Sequence, residues 1–101
     1  MASGHVFHPG HDEWHGQTVV VFTRGPRTVV GRWDAIVGGQ VQMRDAAVHV
    51  AGGPADAGGA EAGEGRDAWL ARLKQYGIPV QHLSFALPEA DVTRVERLRD
   101  V

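Results

Sequence analysis

The sequence predicts a mainly β protein with five strands and one inserted helix. Three short apolar runs separated by turns fill the first half of the 101-residue chain. Residues 66–77 then carry apolar side chains at helical spacing, and two further strand-like runs follow. A chain of this length corresponds to one domain, so residues 1–101 are expected to fold as a single unit.

The three strands of the first half are separated by the turns "RGPR" and "VGGQ". They are predicted at 19–22, 28–33 and 41–50. Gly31, inside the second strand, indicates a sharp bend or a close approach of another backbone. The third strand alternates between a buried and a wet face. Val41, Met43 and Asp45 are placed on its buried face.

The helix is preceded by a segment without large apolar residues. Residues 51–65 read "AGGPADAGGAEAGEG" and are interpreted as a flexible loop. The helix itself is predicted over 66–77, with Gly77 as its stop. The apolar residues at helical spacing are Trp69, Leu70, Leu73 and Tyr76. Trp69, Leu70 and Leu73 are expected to close one end of the fold, with docking of a partner as the alternative.

The last two strands are joined by a tight turn, "PEAD". The segment "VQHLSFALP" alternates as the fourth strand, and its candidates for burial are Val80, Leu83, Phe85 and Leu87. The fifth strand, 92–98, contains Val92, Val95 and Leu98. Because their spacing of three fits a helix equally well, the pattern alone leaves both structures open.

The N-terminal part is expected to be a loose arm, 1–7, followed by a short helical turn within "HPGHDEWHG". No apolar run follows a basic start, and none approaches the roughly 20 residues that cross a bilayer. The default prediction is therefore a soluble cytoplasmic protein.

Composition argues against several functional classes. The formal net charge is -2 and cysteine is absent, so there is no global attraction to nucleic acid, no thiol nucleophile and no cysteine-based zinc site. The glycine-rich segment lacks a P-loop lysine, and no GxSxG motif is present. We therefore predict that the protein is not an enzyme and uses no cofactor.

The order of elements, together with specific residues, resembles the Sm-like (LSm) family. Gly16 followed by Val19, Val21 and Thr23 fits its first strand, and Gly31 with Trp33 fits its second. "VQMRDAAV" and "LSFALPEADVTRVERL" resemble its last three strands. The resemblance implies a strongly bent, five-stranded SH3-like/Sm-like barrel. It also implies a homo-oligomeric ring sealed through strands 81–87 and 92–98.

The RNA-binding motifs of that family are missing. The loop after strand two reads "VGGQ" instead of carrying a Met-Asn pair, and the last connection, "LPEAD", is acidic where the family has Arg-Gly. Four arginines remain as candidates for phosphate contacts, with solvated surface charge as the alternative interpretation. They are Arg24, Arg27, Arg32 and Arg44.

Histidines give a second candidate site. His8, His11 and His15 share one face if the segment is helical, and Asp12 or Glu13 would add a carboxylate ligand. The alternative is a polar turn with solvated histidines. The isolated His49 and His82 are interpreted as structural.

Three functional hypotheses follow. The first is a non-catalytic, ring-forming assembly or interaction module whose partner is a second copy of itself. The second is a ring of the same kind that binds RNA or another nucleic acid through the arginines. The third is a histidine-rich metal-binding module.

Overall fold

The computed structural model describes residues 14–51 and 64–101. Its elements are β1 (Thr18–Thr23), β2 (Arg27–Val37), β3 (Gln40–Val50), α1 (Arg66–Tyr76), β4 (His82–Pro88) and β5 (Val92–Arg97). One turn of 3-10 helix, Glu89–Asp91, joins β4 to β5, and a second follows β5. The predicted arm, nearly all of the N-terminal turn and most of the 51–65 loop lie outside the described residues.

The five strands form a single antiparallel sheet in the order β4-β3-β2-β1-β5. One apolar cluster receives side chains from every strand, so the sheet curls around a common interior. The buried members of this inner cluster are Val19, Val21, Val29, Trp33, Val41, Met43, Ala46, Leu87 and Val92. The five-stranded, strongly bent architecture expected from the sequence is confirmed.

Helix α1 covers the opposite face of the sheet. Alternation along β1 sends Val20 and Phe22 away from the inner cluster, where they meet Val30, Ala47 and the helix. Trp69, Leu70 and Leu73 are buried there, as predicted. The expectation that they close one end of the fold is wrong, because they lie against a face of the sheet.

Tyr76 shares the helical spacing of these residues but is not buried with them. Its side chain is 76% exposed. Tyr76 is the last helical residue, and Gly77 has a φ of 97°, which ends the helix there. The helix therefore ends at Tyr76, and the ring of Tyr76 stays exposed to solvent.

Two bulges bend the central strands. β3 has an additional residue near Asp45, which adopts a φ of 52°, and β2 has one at Asp34. Gly31, which lies opposite the bulge of β3, is so close to that strand that a Cβ atom would stand 2.9 Å from the carbonyl oxygen of Arg44. The predicted bend at Gly31 is confirmed. The placement of Asp45 on the buried face is wrong, because the bulge gives that place to Ala46.

The predictions for β4 hold only in part. Leu87 is buried and Phe85 packs against the inner cluster, but Leu83 is 78% exposed and Val80 is 49% exposed. Val80 precedes β4, which begins at His82, and Leu83 lies at the start of this edge strand, which α1 does not cover. In the last segment the strand interpretation is correct for 92–97, and residues 98–100 form a 3-10 turn.

Candidate functional site

The two edges of the sheet are the first candidate interaction surface. β4 is hydrogen-bonded only to β3 and β5 only to β1 within the described residues. The outer side of each strand therefore presents backbone N–H and C=O groups that no strand of the same molecule pairs. Such edges are templates for pairing with another chain.

The edge strand β4 also carries an exposed apolar side chain. Leu83, the second residue of the strand, has 78% of its surface exposed. His82 is exposed beside it, with its ring 5.1 Å from that of Phe85. An unpaired backbone and an exposed leucine on one strand are what a pairing surface requires.

Arg32 and Arg44 are brought together by the sheet, because they are direct cross-strand neighbours in β2 and β3. Each faces a carboxylate of the opposite bulge. Arg32 lies 3.3 Å from Asp45, and the Nε atom of Arg44 lies 3.5 Å from Asp34. The four charges cancel, so this candidate phosphate-binding pair is already matched by acids. The guanidinium groups nevertheless stay more than half exposed.

Arg24 lies at the β1–β2 turn, away from that group. Its guanidinium donates a hydrogen bond of 2.7 Å to the carbonyl of Ala90, and its backbone N–H donates to the carbonyl of Asp91. These two bonds fasten the β4–β5 connection to the end of β1. Arg24 therefore has a structural role in this arrangement.

Arg27 begins β2 on the face that also carries Val29. Its guanidinium lies 6.0 Å from the centre of the Phe85 ring, at the outer limit of a cation–π contact. The four arginines thus form no single basic surface: Arg32 and Arg44 are adjacent, whereas Arg24 and Arg27 contact different segments.

The β2–β3 turn and the β4–β5 connection are adjacent. The N–H of Glu89 donates a hydrogen bond of 2.9 Å to the carbonyl of Gly39. In the family that the sequence resembles, these are the two loops expected to hold RNA. Here they bring together Gly38 and Gly39 with the carboxylates of Glu89 and Asp91, which repel a phosphate backbone.

The histidine prediction is only partly within the described residues. The Nδ1 atom of His15 donates a 2.7 Å hydrogen bond to the carbonyl of Asp34, since a carbonyl only accepts. His8 and His11 lie outside the described residues, as do Asp12 and Glu13. Within residues 14–51 and 64–101, no cluster of three or more potential metal ligands exists.

The remaining two histidines differ. His49 is buried beside Trp69, with its Nε2 atom 3.1 Å from the carbonyl oxygen of Glu64, whereas His82 is exposed. The pairing of Asp45 with Arg32 and of Asp34 with Arg44 was not predicted from the sequence. Asp is disfavoured in strands, so its occurrence within β2 and β3 was the available signal.

Comparison with solved structures relates this architecture to an Sm protein. The chain is similar to the Sm protein of Pyrococcus abyssii, whose structure was determined in complex with a uridine heptamer. The TM-score is 0.50 at 12% sequence identity, and the alignment covers 83% of this chain and 86% of that one. No family model and no curated protein matches the sequence. The chain therefore has an Sm-like fold with a strongly divergent sequence. Among the described helices, none has the length and apolar character needed to span a membrane.

Proposed function

We propose that the protein is a non-catalytic, Sm-like assembly module in which β4 of one copy pairs with β5 of the next. The observation that carries this proposal is the strand order, which leaves two complementary edges on one molecule. Contacts between two different surfaces of identical copies repeat head to tail, and they form a ring when the rotation closes. A closed ring leaves no edge exposed.

Exposure of Leu83 supports this pairing. Full burial of a leucine side chain is worth about 1.5–3 kcal/mol relative to exposure. A strand paired alongside β4 would remove much of that surface from water in every copy. The backbone bonds of the new ladder would give the seam its register.

Light scattering after size-exclusion chromatography tests the proposal. The wild-type protein is expected to form an oligomer with a mass several times the 10.9 kDa of one chain. Leu83→Glu places a charge on the seam and should shift the mass toward the monomer. Tyr76→Glu is the matched control, since Tyr76 is 76% exposed but lies at the end of α1. A wild-type monomer, or equal effects of both variants, would contradict the proposal.

RNA binding by the same assembly is the second candidate. It is supported by the uridine heptamer bound to the structurally similar Sm protein and by the exposure of Arg32 and Arg44. The test is the affinity for a fluorescent oligouridine at several salt concentrations. RNA binding predicts that affinity falls with salt and falls further in the variant carrying Arg32→Gln and Arg44→Gln. No binding at low salt would reject it.

A further inference from the structure

His49 lies near the end of β3 and connects the sheet to helix α1. Its side chain is 5% exposed, and the centre of its ring lies 5.2 Å from that of Trp69 in the helix. Its Nε2–H donates a 3.1 Å hydrogen bond to the carbonyl oxygen of Glu64, which leads into α1. Its cross-strand neighbour on β2 is Thr28, which is 3% exposed and carries no charge. One buried imidazole therefore touches the sheet, the helix and the residues that precede the helix.

The second ring nitrogen of His49 has no partner. Its Nδ1 atom is buried and forms no hydrogen bond in the described structure. Because Nε2 carries the hydrogen of the neutral ring, Nδ1 then holds only a lone pair. Protonation would make Nδ1 an N–H donor without an acceptor and would place a positive charge in a buried position. An unsatisfied buried donor and a buried charge both destabilise the folded arrangement.

The charged groups beside His49 are already paired with one another. The carboxylate of Glu64 is 12% exposed and accepts two hydrogen bonds from Arg72, with lengths of 2.9 and 2.7 Å. Arg66 and Asp67 line a cavity together with His49, and their charged groups lie 3.4 Å apart. Among the described residues, each carboxylate beside His49 is therefore balanced by an arginine before the imidazole gains a charge.

Helix α1 can separate from the sheet without opening the inner cluster, because the two apolar clusters lie on opposite faces. The inner cluster contains no residue of α1. The buried members of the outer cluster are Val20, Phe22, Val30, Ala47, Trp69, Leu70 and Leu73. Separation of the helix would expose the four sheet residues of the outer cluster, while the five strands would keep their inner core.

We propose that His49 is a pH-sensitive switch, which holds α1 on the sheet when its ring is neutral and releases the helix when its ring is protonated. A proton reaches the buried Nδ1 atom only when this region opens, and the protonated ring then opposes closure through the two penalties given above. Docking of the helix is therefore most stable above about pH 6.5, where free histidine is neutral, and weakens as the pH falls below that value. The switch acts on the outer face of the sheet and is independent of assembly through β4 and β5.

Amide hydrogen exchange at about pH 7.5 and about pH 5.5, on either side of the range in which histidine titrates, tests the switch. Protection is expressed relative to the intrinsic exchange rate at each pH. The amides of 69–73 should lose about tenfold in protection at the lower pH, the scale of one unsatisfied buried donor, whereas those of β1 should lose less. Equal protection of the helix at both pH values, or an equal loss in β1, would overturn the proposal.

Variants at His49 assign the effect to this ring. His49→Gln does not titrate and keeps an N–H donor for the carbonyl of Glu64, so the loss of protection at the lower pH should disappear. His49→Phe keeps an aromatic ring beside Trp69 and is a second variant that does not titrate. His82→Gln is the matched control, because His82 is exposed and its replacement should leave the loss unchanged. Persistence of the full loss in either folded His49 variant would overturn the proposal.

Discussion

β1 and β4 are both short, apolar, antiparallel strands, but the molecule covers them differently. β1 is paired on both edges, and its faces are covered by the inner cluster and by α1, so four consecutive residues are buried. β4 is paired on one edge, and only Leu87 within it is fully buried. An apolar sequence therefore predicts that a strand forms, whereas neighbouring elements decide how much of it is buried. The uncovered strand is the one that we assign to contact with another copy.

The sharpest test of this contrast compares two leucines. Leu73, 1% exposed on the helix that covers β1, should cost about 2–5 kcal/mol of unfolding free energy when changed to alanine, because a cavity remains. Leu83→Ala should change the stability of the dissociated chain by less than about 0.5 kcal/mol. Urea unfolding at low protein concentration measures both. Equal losses would show that the two regions are covered alike.

A substitution at the bend of the central strands should cause a second, smaller loss of stability. Gly31→Ala would place a Cβ atom 2.9 Å from the carbonyl oxygen of Arg44 and should destabilise the fold by about 1–3 kcal/mol. Gly25→Ala is its control, since a Cβ atom there meets nothing within 4 Å. Thermal unfolding should separate the two variants clearly. A neutral Gly31→Ala would mean that β3 does not approach this closely.

The ion pairs at the bulges should contribute least to the stability of the fold. Arg44 and Asp34 form a partly exposed pair, for which a coupling of about 0.2–1 kcal/mol is expected. A double-mutant cycle with Arg44→Gln and Asp34→Asn measures it, and the coupling should decline as salt is added. A large, salt-independent coupling would contradict solvent screening of this pair.

Local sequence patterns predicted the strands, the inserted helix and the bend at Gly31, because alternation, helical spacing and glycine act over a few residues. The burial of Val80 and Leu83 was predicted wrongly for a related reason. Their burial depends on whether another element covers them, and a local pattern does not contain that information. The placement of Asp45 on the buried face was wrong because the bulge shifts the alternation of β3 by one residue.

The candidate sites also combine features that the local sequence predicts with features that depend on the folded structure. The sequence identified the strands with open edges through a family resemblance, and it identified Arg32 and Arg44 as candidates. It did not reveal their pairing with Asp45 and Asp34, since that requires the register of two bulged strands.

Amide hydrogen exchange at several protein concentrations tests the central claim most directly. If β4 and β5 pair between copies, their outward-facing amides should become more protected as concentration rises, while the amides of β1 should change only with overall stability. Leu83→Glu should abolish the dependence on concentration, and Tyr76→Glu should preserve it. Exchange in β4 and β5 that stays fast at every concentration would contradict assembly through these edges.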